Sequence, residues 1–487
     1  MNIALFFAIP LLAAFLLQII TRVSPLLGRY LGPVIAVVNI VMGLQLWHTI
    51  VTTGSQVAFL GGFAAPLGIV FYADRLTALM IIAISSLTLL LWPKGLRDAT
   101  RESALTLLLM AGGCGIALSA DLFNLFVFYE LIAVASYGLV TSAGRGESYV
   151  AGLRYLILSA TGSAMALLGI ALIYSVTGTL NLATLAQMAP HNLHGAIGIS
   201  AFALMLIGFG VKAEFFPVNT WVPEVYASTT TRVSGLLSGV VSKVALLILL
   251  KLLLQVFAIP AAQTLLLIVG MLTLVTGELA AFHAKDLLRL LAYSSIAQLG
   301  MVAMAFAVSG SAGILAGLAV ALHHLLVKPA LFLLAEKWGG QLQQLRGAAK
   351  NARWGAVVFV FLSLSLIGVP PLPGFWAKYL LVTALFSMDQ PLFYLAASLL
   401  LVTTIIEASY LIRVIGKLYG SEPNPLTPHR VPELLPAMVM TACLVLATLF
   451  MSPLAQSLAQ VAQQSVDLKT YFNRVHVDRL AMRTNQP

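Results

Sequence analysis

The sequence predicts an all-α integral membrane protein with about fourteen transmembrane helices. Hydrophobic residues make up 60% of its 487 residues, whereas charged residues make up only 9%. A soluble chain of this length could not cover its surface with so few charged side chains. Apolar stretches of about 20 residues, the length that a bilayer-crossing helix needs, also recur along most of the chain. The solvent around most of its surface is therefore expected to be lipid.

The positions of lysine and arginine support this count. The predicted spans are 2–20, 31–51, 68–93, 104–119, 121–141, 150–176, 198–216, 232–257, 263–281, 289–308, 312–335, 355–385, 390–416 and 432–451. Lysine and arginine lie in the loops after odd-numbered spans, and loops such as 177–197 and 257–262 contain neither. By the positive-inside rule, this alternation predicts a multi-pass protein of the cell inner (plasma) membrane with both termini outside. It also explains the net charge of +10 without nucleic-acid binding.

The spans group into five predicted segments. Residues 1–103 hold the first three helices, 104–257 and 263–416 form two five-helix units, 432–451 form the last helix, and 453–487 form a tail. The tail carries apolar and basic residues at helical spacing, which predicts an amphipathic helix lying along a membrane or a partner. A solvated, disordered tail is the alternative.

Several ionisable residues fall inside the apolar spans. An ionisable side chain at a helix centre costs about 2.5–3.5 kcal/mol on insertion scales, so it needs a partner, a wet cavity or a function. A buried lysine can be a charged ammonium or a neutral amine and can therefore load and release a proton. A connected polar pathway explains these residues better than separate structural ion pairs do. The residues are Glu130, Lys212, Lys243, Lys328 and Lys378.

Two of these lysines lie beside predicted helix breaks. Lys212 precedes Pro217 and Pro223. Lys378 follows Pro370, Pro371 and Pro373. Proline removes a backbone donor, and irregular backbone at membrane depth is tolerated where it is buried or lines a wet cavity. Interrupted helices at matching places of two halves indicate a transporter site. Kinks that serve only packing are the alternative.

Other candidate residues flank this pathway. His324 and Lys328 are four residues apart and share a helix face, so His324 could relay protons between lysines, and His323 is an additional candidate. Glu278 and Glu407 are further buried carboxylates that could join the pathway or hold a neighbouring subunit. We expect no metal site, because no cysteine or carboxylate lies at ligand spacing from the histidines. We expect no cofactor, because nucleotide and haem motifs are absent.

Five segments together resemble the antiporter-like membrane subunits shared by Mrp-type cation/proton antiporters, respiratory complex I (NADH-quinone oxidoreductase) and membrane-bound hydrogenases. They are Asp121–Glu130, Gly210–Lys212 with the break at Trp221–Glu224, Leu291–Gly300, His323–Lys328 and Pro370–Lys378. The resemblance implies two inverted five-helix repeats, each with a broken helix. It also implies that Glu130 pairs with Lys212, that Lys243 links Lys212 towards His324 and Lys328, and that Lys378 opens the exit. The loop 226–234 departs from the family pattern.

The sequence thus predicts a proton-translocating membrane subunit of a multisubunit complex, either an Mrp-type antiporter or a redox-driven pump. Its expected partners are other membrane subunits, the lipid bilayer, protons and, as a second candidate ion, sodium. A translocase of this kind would have no redox site of its own. A self-sufficient secondary cation/proton antiporter is the alternative, and a purely structural subunit is a third interpretation.

Overall fold

The computed structural model describes residues 2–60, 68–93, 99–193, 195–338, 340–421 and 434–484. The side chains of Ala99, Lys337 and 477–484 fall outside this description. So do residues 432–433, where the last predicted span begins, and residues 485–487 at the end of the predicted tail.

The described chain is almost entirely helical. The α-helices are α1 (Leu5–Val23), α2 (Pro25–Thr53), α3 (Arg75–Leu90), α4 (Ala99–Leu118), α5 (Leu122–Thr141), α6 (Gly146–Thr177), α7 (Leu182–Asn192), α8 (Ala196–Gly210), α9 (Val222–Ser228), α10 (Thr231–Leu236), α11 (Ser242–Gln255), α12 (Pro260–His283), α13 (Leu287–Phe306), α14 (Ser311–Ala335), α15 (Arg353–Ile367), α16 (Pro373–Phe386), α17 (Pro391–Leu418), α18 (Leu434–Leu449), α19 (Met451–Val466) and α20 (Leu468–Thr484). A π-helical turn, Leu237–Val241, joins α10 to α11. Strands β1 (Gln56–Phe59) and β2 (Val70–Ala73) form one antiparallel pair.

Ten helical stretches of the described chain are long and apolar enough to cross a membrane. The helices α3, α8 and α15 are apolar but shorter, and α18 and α19 form a pair bent by 92°. The prediction of a multi-pass helical membrane protein is therefore confirmed. Large apolar side chains on α1, such as Phe15, which is 69% exposed, face outward, as expected for contact with lipid or other membrane subunits.

Two interruptions divide helices in the interior of the fold. Residues 211–221 separate α8 from α9, and residues 368–372 separate α15 from α16. The first interruption is held by the indole of Trp221, whose Nε1 donates to the carbonyl of Val211 at 3.0 Å. Tyr155 stacks on the same indole with ring centroids 3.9 Å apart. This packing buries the irregular backbone inside protein, which is where it can be tolerated in a membrane.

Helices α12 and α13 cross at very short range. A Cβ atom added at Gly300 would lie 2.6 Å from the backbone nitrogen of Leu274 and 2.7 Å from the carbonyl oxygen of Gly270. Small residues at such crossings let two helix backbones approach each other within a membrane. The contact fixes α13, which carries two of the serines described below.

The described part of the C-terminal tail is helical and packs back onto the chain. Arg75 donates from Nη1 to the Gln460 side chain at 2.6 Å, and its backbone N–H donates to Gln464 at 3.3 Å. Tyr471 of α20 contacts the ring of Tyr72 edge-on, with centroids 4.6 Å apart. The tail therefore covers the region where β2 leads into α3.

Candidate functional site: a buried polar axis

Glu130 and Lys212 are each held by a serine of α6. A carboxylate oxygen of Glu130 accepts a hydrogen bond from Ser163, and the ammonium of Lys212 donates to Ser159 at 2.5 Å. The two side chains form no direct ion pair, but Glu130 still acts electrostatically on Lys212. The serines are four residues apart and lie on one face of the helix. They hold the carboxylate of Glu130 and the ammonium of Lys212 at the same face of α6.

Lys212 is only 1% exposed and contacts an aromatic ring. Its Nζ atom lies 3.8 Å from the centroid of the Tyr129 ring, a cation–π contact that partly replaces lost hydration. The Tyr129 hydroxyl donates to the carbonyl of Gly208 at 2.9 Å, which fixes the ring. Lys212 also lies just after α8, where the helix is interrupted. The break and its surroundings thus hold a polar group that an unbroken apolar helix would not satisfy.

Lys243 and His324 contact each other near the middle of the row formed by Glu130, Lys212, Lys243, His324, Lys328 and Lys378, which is called the axis below. The ammonium of Lys243 contacts Nδ1 of His324 and donates to the Ser238 carbonyl at 2.5 Å. Ser238 belongs to the π-helical turn, and such turns often occur at functional sites because they disturb the regular backbone pairing. Nε2 of His324 lies 3.1 Å from the hydroxyl of Ser295. His324 therefore connects Lys243 to α13.

Lys328 extends the axis from the centre towards the second break. Its ammonium donates to Ser294 at 2.6 Å, and the residue is fully buried. His324 and Lys328 lie one turn apart on α14, and the adjacent serines Ser295 and Ser294 of α13 contact them. The neighbouring His323 instead contacts Ser365 of α15, with 2.9 Å between Nε2 and the hydroxyl oxygen.

Lys378 and Glu407 form a buried ion pair at the far end. Nζ of Lys378 donates to Oε2 of Glu407 at 2.6 Å and to the carbonyl of Ile367, the last residue of α15, at 3.1 Å. Gln298 donates to the other carboxylate oxygen of Glu407 at 2.8 Å. The second break therefore places a helix-end carbonyl beside a lysine, and α17 supplies the counter-charge, which Gln298 of α13 helps to position.

Glu278 lies in the same region but has no partner of this kind. The residue is fully buried, and neither of its carboxylate oxygens has a hydrogen-bond partner among the described residues. Glu407, Lys378 and Lys328 act on it electrostatically. Sequence reasoning identified Glu278 and Glu407 as buried but did not assign them to the lysine at position 378.

Several residues that contact these charged side chains were not predicted from the sequence. The serine hydroxyls that contact the axis or His323 are those of Ser159, Ser163, Ser242, Ser294, Ser295 and Ser365, and the contacts of Tyr129 were also missed. The spacing of Ser159 and Ser163 on an apolar helix was the available signal. Glu214, a fully buried carboxylate in the first break, is also absent from the residues predicted from the sequence.

The polar side chains of this site are of types that can exchange protons. Across the described ranges, no three His, Cys, Asp or Glu side chains are grouped so that they could hold a metal ion. The axis consists instead of amines, imidazoles, hydroxyls and carboxylates from different helices, within hydrogen-bonding distance of a neighbour. Groups of these types can accept and release protons in turn.

Comparisons with known proteins identify the family. Residues 119–404 match the family described as "NADH:quinone oxidoreductase/Mrp antiporter, TM". The chain is 30% identical over 463 residues to a subunit of the Na(+)/H(+) antiporter of Bacillus subtilis, covering 91% of this chain and 92% of that protein. It is 31% identical over 468 residues to a subunit of the NADH-quinone oxidoreductase of Desulforudis audaxviator, covering 90% and 92%.

The fold is also similar to a solved structure. A chain of the membrane-bound sulfane sulfur reductase, an archaeal respiratory membrane complex, superposes with a TM-score of 0.90 and 26% identity, covering 97% of this chain and 99% of that chain. The family match spans more than half of the sequence and includes Glu130, Lys212, Lys243, Lys328 and Lys378. This protein therefore belongs to the transmembrane subunit family shared by NADH:quinone oxidoreductases and Mrp antiporters.

Proposed function

We propose that this chain translocates protons as one membrane subunit of a multisubunit complex. The proton would move along the axis of Glu130, Lys212, Lys243, His324, Lys328 and Lys378, with His323, Glu278 and Glu407 as additional members. The observation that carries this proposal is that all four lysines and His324 contact a polar group on another element of the fold. A row of buried amines with such partners favours transfer of charge across the interior over isolated structural pairs.

The proposed topology has about fourteen membrane crossings. In this arrangement α3, α8 and α15 with α16 cross the membrane together with α18 and the ten longer stretches. Residues 104–257 and 263–416 would form the two inverted five-helix repeats, between the helices of 1–103 and the last span at 432–451. The support is that the helix interruptions fall at the fourth crossing of each proposed repeat, after α8 and after α15.

The axis suggests how protons could be moved in steps. Each lysine can be a charged ammonium or a neutral amine, and a charge gained at one lysine changes the electrostatic free energy of its neighbours. Lys328 occupies the pivotal position, because Glu214 acts on it from one side and Glu278, Glu407 and Lys378 from the other. A change in the Lys378–Glu407 pair would therefore alter the charge that Lys328 can carry. The prolines at both interruptions leave backbone carbonyls free to stabilise these cations.

The energy would come from an ion gradient or from partner subunits. The relatives named above are an antiporter subunit and a quinone oxidoreductase subunit, and the similar solved chain belongs to a respiratory membrane complex. Exposed apolar side chains on α1 and α2 provide a surface for such partners or for lipid. We place the complex in the cell inner membrane, with the arginine-rich and lysine-rich loops on the cytoplasmic side.

The test combines isolation from the native membrane with flux measurements in liposomes. Partners that co-purify in mild detergent would be identified, and proton uptake would be measured with a pH-sensitive dye. Lys212→Ala should abolish proton flux in an intact complex, whereas Lys350→Ala, at an exposed position, should not. Unchanged flux in Lys212→Ala would overturn the proposed axis.

The same preparation separates the alternatives. Iron–sulfur or quinone-handling partners would indicate a redox-driven pump, and small hydrophobic antiporter subunits would indicate an Mrp-type exchanger. A chain that purifies alone and exchanges protons for a cation would be a self-sufficient secondary antiporter. Repeating the measurement with and without sodium tests whether sodium is the exchanged cation.

A further inference from the structure

The hydrogen-bonded axis has a gap between Lys212 and Lys243. The described contacts of Lys212 are with Ser159 and the Tyr129 ring, whereas those of Lys243 are with Ser238, Ser242 and His324. Within the described residues these two sets have no member in common. A proton moving between the two lysines would need a further group in this interval.

Glu214 is a candidate for that group. It follows Lys212 by two residues in the first helix interruption and is fully buried. Its carboxylate interacts electrostatically with Lys243 and Lys328. Glu214 is thus only two residues from Lys212 in the sequence, and its carboxylate acts on Lys243.

The backbone at Glu214 is held in an unusual conformation. Its φ angle is +62°, in the left-handed region, where residues other than glycine are uncommon. Such a conformation costs of order 1–3 kcal/mol and persists only where the surroundings enforce it, often at functional sites. Here the backbone N–H of Phe215 donates to the Gly210 carbonyl at 2.9 Å, which closes the turn. The turn directs the Glu214 side chain into the protein interior, although glycine would adopt this backbone conformation more easily.

One oxygen of the carboxylate is fixed and the other is available. The hydroxyl of Tyr226 donates to Oε1 at 2.5 Å, whereas Oε2 is buried without a partner in hydrogen-bond geometry among the described residues, and the Ser295 hydroxyl also acts on the carboxylate. Leaving a buried acceptor unpaired costs about 1–3 kcal/mol, so an unpaired oxygen that is retained requires a reason. An oxygen that periodically binds a proton provides one.

We propose that Glu214 carries protons between Lys212 and Lys243. This inference rests on the proposed function and adds Glu214 to the proposed pathway. In the forward step the Lys212 ammonium loses a proton and the Glu214 carboxylate gains it, which leaves a neutral amine and a carboxylic acid. The acid then gives the proton to the neutral amine of Lys243, which restores the carboxylate and forms an ammonium. Charge and protons balance in both steps.

A carboxylate suits this place better than another lysine would. Three neighbouring ammonium groups would repel one another strongly in a medium of low dielectric constant. A carboxylate between two lysines offsets their charge when it is ionised and passes a proton on when it is neutral. Tyr226 would hold Glu214 in place and would not itself exchange the proton.

The test compares Glu214→Gln with Glu224→Gln in the complex as isolated from its native membrane. Glutamine keeps the size of the side chain and an acceptor for Tyr226, whereas Glu224 is a partly exposed partner of Arg154 outside the axis. We expect Glu214→Gln to lower proton flux in liposomes at least about 100-fold and Glu224→Gln to leave it unchanged. Wild-type flux in Glu214→Gln would overturn the inference while leaving the proposed function intact.

A second measurement detects the proton itself. Infrared difference spectra recorded between high and low pH should contain a carboxylic acid C=O band that Glu214→Gln removes and Glu224→Gln retains. Absence of such a band in the wild-type complex would overturn the carrier role even if flux falls. If the wild-type complex moved no protons, the proposed function would fail, and this band alone would decide whether Glu214 exchanges a proton.

Two further variants keep the test decisive if Glu214→Gln does not assemble. Glu214→Asp keeps the carboxyl group on a shorter side chain and should shift the infrared band and reduce flux. Tyr226→Phe removes only the hydrogen bond to Oε1 and should move the band to a different frequency. A band that neither variant changes cannot belong to Glu214, and that result would overturn the inference.

Discussion

The ammonium of Lys378 lies 2.6 Å from Oε2 of Glu407, and the two side chains are 13% and 0% exposed. Lys378 lies just beyond the second helix interruption, whereas Glu407 lies in the middle of α17. The pair therefore ties the broken helix to its neighbour. A buried pair of this kind depends on both partners, because the charge left by removing one has no compensation.

Single substitutions in this pair should destabilise the protein more than the double substitution does. Lys378→Met or Glu407→Gln alone should lower the free energy of unfolding by about 3–5 kcal/mol, because each leaves one buried group without its partner. Lys378→Met combined with Glu407→Gln should recover most of that loss while proton flux stays low. Thermal unfolding in detergent would measure stability. A double variant as unstable as the single variants would show that the pair contributes through packing and not through charge.

The serines of α6 should be required for flux although they carry no charge. Ser159→Ala and Ser163→Ala each remove a hydrogen bond to a charged group, an interaction of about 1.5–3 kcal/mol. We expect each variant to slow proton flux about 10-fold or more. Thr161→Ala is the matched control, because its exposed hydroxyl donates only to the carbonyl of Ile157 in its own helix. Equal flux in all three variants would argue against a pathway along this face of α6.

The two adjacent histidines should differ in their effect on transport. His324 contacts both Lys243 and Ser295, whereas the described hydrogen bond of His323 is with Ser365. His324→Gln should therefore reduce proton flux by about 100-fold, and His323→Gln should reduce it less. His283→Gln, at an exposed position, serves as the control. A larger loss in His323→Gln than in His324→Gln would reverse the assignment of the relay.

The sequence predicted the charged members of the axis because charge in an apolar span is a strong signal. Lysines such as Lys243 and Lys328 stand out against their neighbours, and the cost of burying them limits the explanations. Proline likewise identified the interruptions near Lys212 and Lys378, since it cannot continue a helix. Composition predicted a membrane protein, because a soluble protein of this length needs more charged side chains to cover its surface.

The sequence could not supply the contacts between helices. Serine is common in apolar helices, where its hydroxyl often bonds its own backbone, so Ser163 and Ser294 carried no distinct signal. The distance between Glu130 and Lys212 depends on how α5, α6 and the first break pack together, which no local pattern encodes. No pattern in the sequence assigned a role to Glu214, whose left-handed backbone and burial are visible only in the structure.

The close crossing of α12 and α13 should make Gly300 intolerant of any side chain. An added Cβ atom would lie 2.6 Å from the nitrogen of Leu274, and backbone atoms cannot yield as a flexible side chain can. Gly300→Ala should therefore lower the free energy of unfolding by about 1–3 kcal/mol, as overpacking usually does. Gly416→Ala in α17 is the matched control, since nothing lies within 4 Å of its added Cβ.

The control should instead gain stability, because alanine is favoured over glycine by up to about 1 kcal/mol within a helix. Thermal unfolding of both variants in the same detergent would show whether Gly300→Ala lowers stability and Gly416→Ala raises it. Because Ser294 and Ser295 lie on α13, a displaced helix should also weaken the contacts to Lys328 and His324. Gly300→Ala should therefore lose proton flux at temperatures where it is still folded. Full flux together with wild-type stability would show that the two helices can separate without disturbing the axis.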